Sequence, residues 1–365
     1  MPSATNISAA STTPPHTLTL PRNVIATLAP TAYLLAHLHP SKSSTNPATR
    51  PSGRAPTTFR PATCTTGSLA NCAGSAVVRV GDTAVVCGIQ SEILLAHDIA
   101  DPPRGCSAGE ELARLQLLVP NVELATGCSP GHLPGGPPSG EAQVLVQRVN
   151  GLLHSSGIVD VEDLKIKYTR PTSQEDEDED ENEERTETVA YWTLYASIHV
   201  MSLSGSSSLI DVAWAALVSA LQDVKLPRAW WDADLERVIC SDRVDETRRL
   251  QLRGLPICCT WAVFVAGKSQ IGMQDADAQN DKTTGLKTLK DGSKAWLLAD
   301  PDDFEDPLCR ETVTLTVDAS TGMTKVLRLE KSGGAVLGVQ DIRDLVGSAT
   351  QRWKEWADVM LPVRN

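Results

Sequence analysis

Two short β-rich runs separated by two residues constrain this chain more than any other feature. Ser75 to Val80 and Thr83 to Ile89 flank Gly81-Asp82, and a two-residue loop containing glycine between such runs is an antiparallel hairpin whose register the turn fixes. Elements of both kinds follow it. Leu115 to Leu124 reads as a further apolar strand interrupted by Pro120, and the Gly/Pro-rich stretch from Gly127 to Gly140 reads as a loop. Glu141 to His154 is predicted as a helix, because Ala142, Leu145, Val149, Leu152 and Leu153 recur at helical spacing. Ser139 is its expected N-cap, and Glu141 suits the positive end of the helix dipole.

The later part of the chain repeats this logic. Ala190 to Leu203 reads as a long strand, Gly205 with its serines as a turn, and Leu209 to Leu221 as a helix turning Ile210, Ala213, Leu217 and Leu221 inward. Strands are expected at Pro256 to Ala266, Ala295 to Ala299, Glu311 to Val317 and Met323 to Leu329. A closing helix from Val339 to Met360 carries the stripe Ile342, Leu345, Ala349, Trp353, Trp356 and Met360. Two successive β-then-α blocks indicate an α+β protein with two related halves. Ahead of them, residues 1–20 are polar and rich in Ser, Thr and Pro, the composition of a disordered segment. Pro30 to Leu38 is a short helix candidate, and Ser41 to Ala55 has the composition of a linker.

At 365 residues the chain has room for about two domains. Its net charge of −12 is concentrated: Gln174 to Glu187 holds ten carboxylates against the single Arg185. Set aside, that stretch leaves the remainder close to neutral, so contact with nucleic acid is expected only through local patches. The acidic run is read as a solvated loop between the halves, with nucleic-acid mimicry or partner docking as the alternative. Nine cysteines without a Cys-x-x-Cys pair argue against a disulfide framework and a zinc site, and point to buried thiols in a reducing compartment. No apolar run is long enough to span a bilayer, and the N-terminus lacks the pattern of a secretory signal.

Four segments together resemble the ribonuclease PH family. Arg50-Pro51-Ser52-Gly53-Arg54 followed by Phe59-Arg60 is similar to the family's opening Arg-x-Asp-Gly-Arg and following Arg, with Ser52 in place of the Asp. The run from Gly74 to Gly88 is similar to the family's hairpin. Val119-Pro120-Asn121-Val122-Glu123-Leu124, with Glu141-Ala142-Gln143 after it, resembles the exosome ring branch. Asp300-Pro301 with Glu305 resembles the second-half Asp-Pro turn.

The resemblance implies two ribonuclease PH-like halves, the first like ribosomal protein S5 domain 2 and the second like ribonuclease PH domain 2. The expected division is an N-terminal extension over 1–49, a first domain over 50–221 with the acidic insertion at 172–188, and a second domain over 222–365. It further implies a six-subunit ring with a central RNA channel, S1/KH cap proteins above it, and ribosomal RNA-processing protein 46 as the paired neighbour. Sheet extension between subunits, and residence in the nucleus, nucleolus and cytoplasm, belong to the same expectation.

Phosphorolysis brings inorganic phosphate and an RNA phosphodiester together, so its catalysis rests on positioning and a positive cradle. Active members of the family are expected to carry an Asp-Gly-Gly-Thr-Arg-like turn and arginines on the first-half helix. Here the turn reads Ser202-Leu203-Ser204-Gly205-Ser206-Ser207-Ser208, and the helix offers Gln143, Gln147 and only Arg148. The expectation is therefore a non-catalytic subunit with no metal and no cofactor. The alternatives are an active phosphate-dependent 3′-to-5′ exoribonuclease and an RNA-binding adaptor outside any ring.

Asp211 is read as a helix cap, with a leftover catalytic acid as the sharper alternative. His97, His132, His154 and His199 fall singly, without metal-ligand spacing. Trp230-Trp231 is read as interface packing rather than base stacking. For RNA contact the expected cations are Arg104 in the loop after the hairpin and the cluster Arg248, Arg249 and Arg253. The plainer reading of that cluster is surface pairing with Asp242, Asp245 and Glu246.

Overall fold

The computed structural model describes residues 20–39, 48–102, 105–133, 137–169, 186–267, 285–289, 293–334 and 337–360. The first sheet contains β1 (Ala62–Thr66), β2 (Gly74–Val80), β3 (Thr83–Leu95), β4 (Leu118–Leu124), β5 (Lys165–Thr169) and β6 (Thr186–Ser202). Their order is β1-β2-β3-β6-β4, with β5 also paired to β6. β4 runs parallel to β6 and the other pairs are antiparallel. Pro120 is tolerated inside β4 because that strand lies at an edge of the sheet. The predicted hairpin forms with Val80 opposite Thr83. Gly81 adopts φ +58°, and a Cβ there would lie 2.6 Å from the Arg60 side chain, so both backbone and space demand glycine.

Three helices complete the first half. The sequence reading began a strand at Leu115; the structure instead forms α3 (Ala108–Arg114), closed by a reciprocal Ser107/Glu110 capping box, and starts the strand three residues later. The helix α4 (Gly140–Ser156) begins at the expected cap, Ser139, whose hydroxyl accepts from Ala142 N. In α5 (Leu209–Asp223) every residue from Leu209 to Leu221 is buried. Four inward positions were expected, but this helix lies between the two sheets and touches both, so no side of it meets water. Its Trp214 indole donates to Pro256 O at 2.8 Å.

Two short pairings follow: β7 (Lys225–Leu226) with β10 (Arg248–Arg249), and β8 (Ala229–Asp232) with β9 (Arg237–Cys240). The second sheet is antiparallel throughout, ordered β12-β13-β11-β14-β15. It comprises β11 (Ile257–Ala266), β12 (Leu286–Thr288), β13 (Lys294–Ala299), β14 (Glu311–Asp318) and β15 (Lys325–Gly333). The closing helix α6 spans Val339–Met360 and buries Leu345, Ala349, Trp356 and Met360. Ile342 and Trp353 of the expected stripe are only partly buried, whereas Arg352 is 5% exposed. Its guanidinium lies over the rings of Phe59 and Trp356, at 5.0 and 5.3 Å, and donates to Arg60 O at 2.8 Å. Those partners make a charged core residue tolerable.

Ahead of the sheets stand α1 (Arg22–Leu28) and α2 (Pro30–Leu38). The second docks on the far half: Leu34 and Leu38 are buried with Phe264, Ala266, Trp296 and Leu298. No helix of the described residues is long and apolar enough to cross a membrane.

Candidate functional site

Three segments from distant parts of the chain meet between the halves: residues 50–60, the turn from β6 into α5, and the Asp-Pro turn after β13. The stretch holding Arg50 has the composition of a linker, yet Arg50 is 1% exposed. It donates to the carbonyls of Pro56, Ala299 and Asp300 and to the Glu305 carboxylate at 3.2 Å. Burial pushes the Arg50 guanidinium down to about 10 and pushes the Glu305 carboxyl up. The linker reading fails here because both terminal nitrogens of the guanidinium find acceptors, while the buried Nε has none among the described residues.

Arg60 is the second fixed point. Its Nε and Nη2 reach the two carboxylate oxygens of Asp300 at 2.7 and 2.6 Å, and Arg60 N adds a third bond at 3.1 Å. Burial alone would raise the Asp300 carboxyl, but the hydrogen bonds and charge of Arg60 outweigh it and hold it below the usual carboxylate range. Asp300 adopts φ +53°, a left-handed conformation that aspartate tolerates better than most residues. Its Nη1 donates to Ser204 O at 3.1 Å, and Nη2 also reaches Ser208 Oγ at 3.2 Å. Arg54 joins the group by donating to Asp300 O at 3.2 Å. These three arginines of the resemblance therefore tie the halves together through internal partners.

The turn before α5 is where backbone N–H groups at a helix start could cradle an anion. Two of the amides leading into the helix are already engaged by carboxylates. Gly205 N donates to the Asp303 carboxylate, and Ser207 N to Asp306 at 3.0 Å, with the Ser207 hydroxyl on Asp306 as well. Ser206 Oγ sits 3.4 Å from Glu141, which adds negative charge. Gly205 adopts φ +92°, and a Cβ there would lie 2.3 Å from Pro301 O; only glycine lets the two turns approach this closely. Arg148, the one arginine available on α4, donates to Glu330 at 2.7 Å and to Thr314 Oγ1 at 3.2 Å. Glu330 also takes Arg328 at 2.7 Å.

Asp211 does not cap its own helix. Its carboxylate accepts from Thr260 N at 2.7 Å and Thr260 Oγ1 at 2.8 Å. This occurs where the β13 pairing ends at Ala299: Asp300 N still reaches Thr260 O at 2.9 Å, and Asp211 supplies the acceptor for Thr260 N on that side of β11. Thr260 Oγ1 continues to Thr314 Oγ1 at 2.9 Å, and so to Arg148. Burial raises the Asp211 carboxyl to about 7, against the hydrogen bonds from Thr260 that favour its charged form.

Of the four cations expected to touch RNA, three fall among the described residues. Arg104 lies outside the described residues, as does the acidic run up to Arg185. Arg248 pairs with Asp163 and Arg253 with Asp160, rather than with Asp242, Asp245 or Glu246; Glu246 is taken by Arg243 at 3.7 Å. Arg249 is exposed beside Arg248. His97 neighbours Asp98, His132 contacts Ser129 and lies 3.8 Å from Glu141, and His199 neighbours Glu123. Among the described residues no group of three or more His, Cys, Asp or Glu could hold a metal ion. Trp230 is exposed on the β8–β9 hairpin. Two clefts of about 400 and 310 Å³, sharing Gln90 and Glu92, open on the first sheet away from the arginine cluster. Sequence reasoning missed Asp303, Asp306 and Glu330, whose partners stand roughly 100 to 180 positions away in the chain.

Residues 58–227 match the model of the 3′ exoribonuclease family, domain 1. The chain is 33% identical over 280 residues to the exosome complex component rrp43 of Schizosaccharomyces pombe, covering 77% of this chain and 80% of that protein. It is 25% identical over 277 residues to the exosome complex component Rrp42 of Methanothermobacter thermautotrophicus, covering 76% and 86%. Among solved structures, the Archaeoglobus fulgidus exosome with RNA bound to the active site shares the fold at TM-score 0.57 and 21% identity, covering 91% of this chain and 98% of the other. An archaeal exosome core matches at 0.52 and 19%, covering 92% and 99%.

Proposed function

We infer that this chain, which belongs to the ribonuclease PH-like family of exosome ring subunits and is similar to rrp43 within it, serves its ring as a structural subunit without phosphorolytic activity of its own. The observation that carries this reading is the engagement of the β6–α5 turn: its Gly205 and Ser207 amides are held by Asp303 and Asp306. An entering phosphate would have to displace two carboxylates and approach Glu141. Arg148 is turned to other partners, the Glu330 carboxylate that it shares with Arg328 and the Thr314 hydroxyl. Catalysis by positioning two anions needs net positive charge, and the described residues at this place supply net negative charge instead.

Support of 3′-to-5′ RNA processing and decay, including ribosomal RNA maturation and messenger RNA turnover, then follows through assembly. Its neighbours would be other ribonuclease PH-like subunits, with ribosomal RNA-processing protein 46 as the pair and S1/KH proteins as caps. RNA would pass through the channel, with Arg104, Arg248, Arg249 and Arg253 as secondary contacts. The proposal places the chain in the nucleus, nucleolus and cytoplasm. The test is to incubate the purified chain, alone and with that partner, with 3′-ended RNA and inorganic phosphate. No nucleoside diphosphate is expected; release that depends on phosphate and on this chain would establish the alternative, an active exoribonuclease.

A further inference from the structure

The first sheet carries two adjoining clefts of about 400 and 310 Å³ that share Gln90 and Glu92. Small organic ligands occupy cavities of this order, roughly 300–1,000 Å³. Strand register fixes which side chains stand together there. Gln90 lies directly across from Tyr195, and Glu92 across from Thr193. On the other side of β6, Asn121 lies across from Ser197. Directly opposite residues share a face and successive residues alternate. The intervening Ile89, Leu194 and Ile198 are buried, so Gln90, Glu92, Tyr195 and Asn121 occupy the outer face.

The polar groups of these clefts are uncommitted. Nearby cations are paired: Lys165 and Lys167 with Glu162, Arg248 with Asp163, Arg253 with Asp160. By contrast the side chains of Gln90, Glu92, Tyr195 and Lys225 have no hydrogen-bond or ion-pair partner among the described residues. Thr193 adds a stronger sign. It is 6% exposed, and its hydroxyl is buried without a partner among the described residues. Leaving such a group unmet is costly, and this one stands beside Glu92 on the cleft face.

The order of these groups matches one ligand class. Tyr195, 39% exposed, presents an aromatic ring on which a nucleobase can stack. Gln90 stands in the same row, and its amide matches the paired donor and acceptor on the edge of adenine. Asn121, in the next row, donates one N–H to Glu123 at 3.3 Å and keeps its other N–H and its oxygen. In the row on the opposite side, Glu92 and Thr193 offer a carboxylate and a hydroxyl to ribose hydroxyls. The larger cleft then runs from Glu92 to Lys225, whose ammonium is a point charge suited to phosphate.

We propose that the paired clefts bind an adenine ribonucleotide, with the base on Tyr195, the ribose at Glu92 and Thr193, and the phosphate at Lys225. The site is separate from the β6–α5 turn and does not rest on the ring reading.

Calorimetric titration of the full chain with adenosine monophosphate tests it. Saturable binding is expected, and Tyr195→Ala should weaken it about tenfold or more. Lys225→Ala should reduce the affinity to that of adenosine, while leaving adenosine binding itself unchanged. Glu92→Gln should erase the preference over 2′-deoxyadenosine monophosphate. All three side chains are exposed, so unchanged melting temperatures are expected and show that the variants fold. A short oligoadenylate separates the two sources of the ligand. Tighter binding than the mononucleotide, lost in Tyr195→Ala, makes it a residue of an RNA strand; equal affinity makes it a free nucleotide. No binding of either probe, or binding indifferent to Tyr195→Ala, overturns the proposal and leaves the ring reading as it stands.

Discussion

Arg60 and Asp300, 240 positions apart in the chain, meet in a two-pronged ion pair at 2.7 and 2.6 Å. The pair is buried, with side-chain exposures of 9% and 5%, and it closes one half of the molecule onto the other. Removing one partner strands a buried charge, which costs roughly 3–5 kcal/mol. Arg60→Met is therefore expected to lower the urea midpoint strongly. Arg60→Met with Asp300→Asn should recover part of the loss, because the orphaned carboxylate is gone. The Asp300 carboxyl is held below its unfolded value, so its contribution is complete above that unfolded value, near 3.8, and fades as the pH falls through the folded one. Denaturation curves between pH 5 and pH 2 check this.

Asp211 behaves in the opposite sense. Its carboxyl is raised from 3.8 to about 7 in the folded chain, so the folded state prefers the protonated form. The stability tied to that proton is present below the unfolded value and is lost as the pH rises towards about 7. Asp211→Asn keeps an acceptor for Thr260 N and cannot ionise. The stability difference between the native chain and Asp211→Asn should therefore change between pH 4 and pH 7 and level off above. A difference that stays flat across that window would contradict the burial argument.

Gly205→Ala tests the contact between the two turns. A left-handed φ costs a non-glycine residue about 1–3 kcal/mol, and here the new Cβ would also meet Pro301 O at 2.3 Å. A marked fall in melting temperature is expected, while alanine at Gly127, where nothing lies within 4 Å and only φ +82° is at issue, should cost less.

The N-terminal helix α2 is expected to contribute to the second half rather than to hang from it. Leu34 is fully buried and Leu38 nearly so against Trp296 and Phe264. Leu34→Ala or Leu38→Ala should cost roughly 2–5 kcal/mol, and tryptophan fluorescence should report the loosening around Trp296. No change in stability on losing both leucines would show that the helix does not hold its place.

Much of the fold was legible because local rules and burial agree there. The Gly81-Asp82 hairpin, the Ser139 cap and the span of α6 follow from turn chemistry, capping and periodicity. The surroundings of α5 were not legible, since a helix covered by two sheets has no polar face to reveal its orientation. Arg50 sits among prolines and serines typical of linkers, and its burial is explained by distant partners, the carbonyls of Ala299 and Asp300 and the Glu305 carboxylate. The departures at the candidate site could be read from Ser202 to Ser208. That Asp303 and Asp306 occupy its amides could not, because nothing local announces a partner 98 or 99 residues away.

Anion binding at the β6–α5 turn tests the central claim most directly. Crystals of the assembled ring soaked in inorganic phosphate should show Asp303 and Asp306 still on the Gly205 and Ser207 amides, with no phosphate between them and Arg148. Phosphate seated on those amides, with the two carboxylates swung aside and Arg148 released from Glu330, would contradict it.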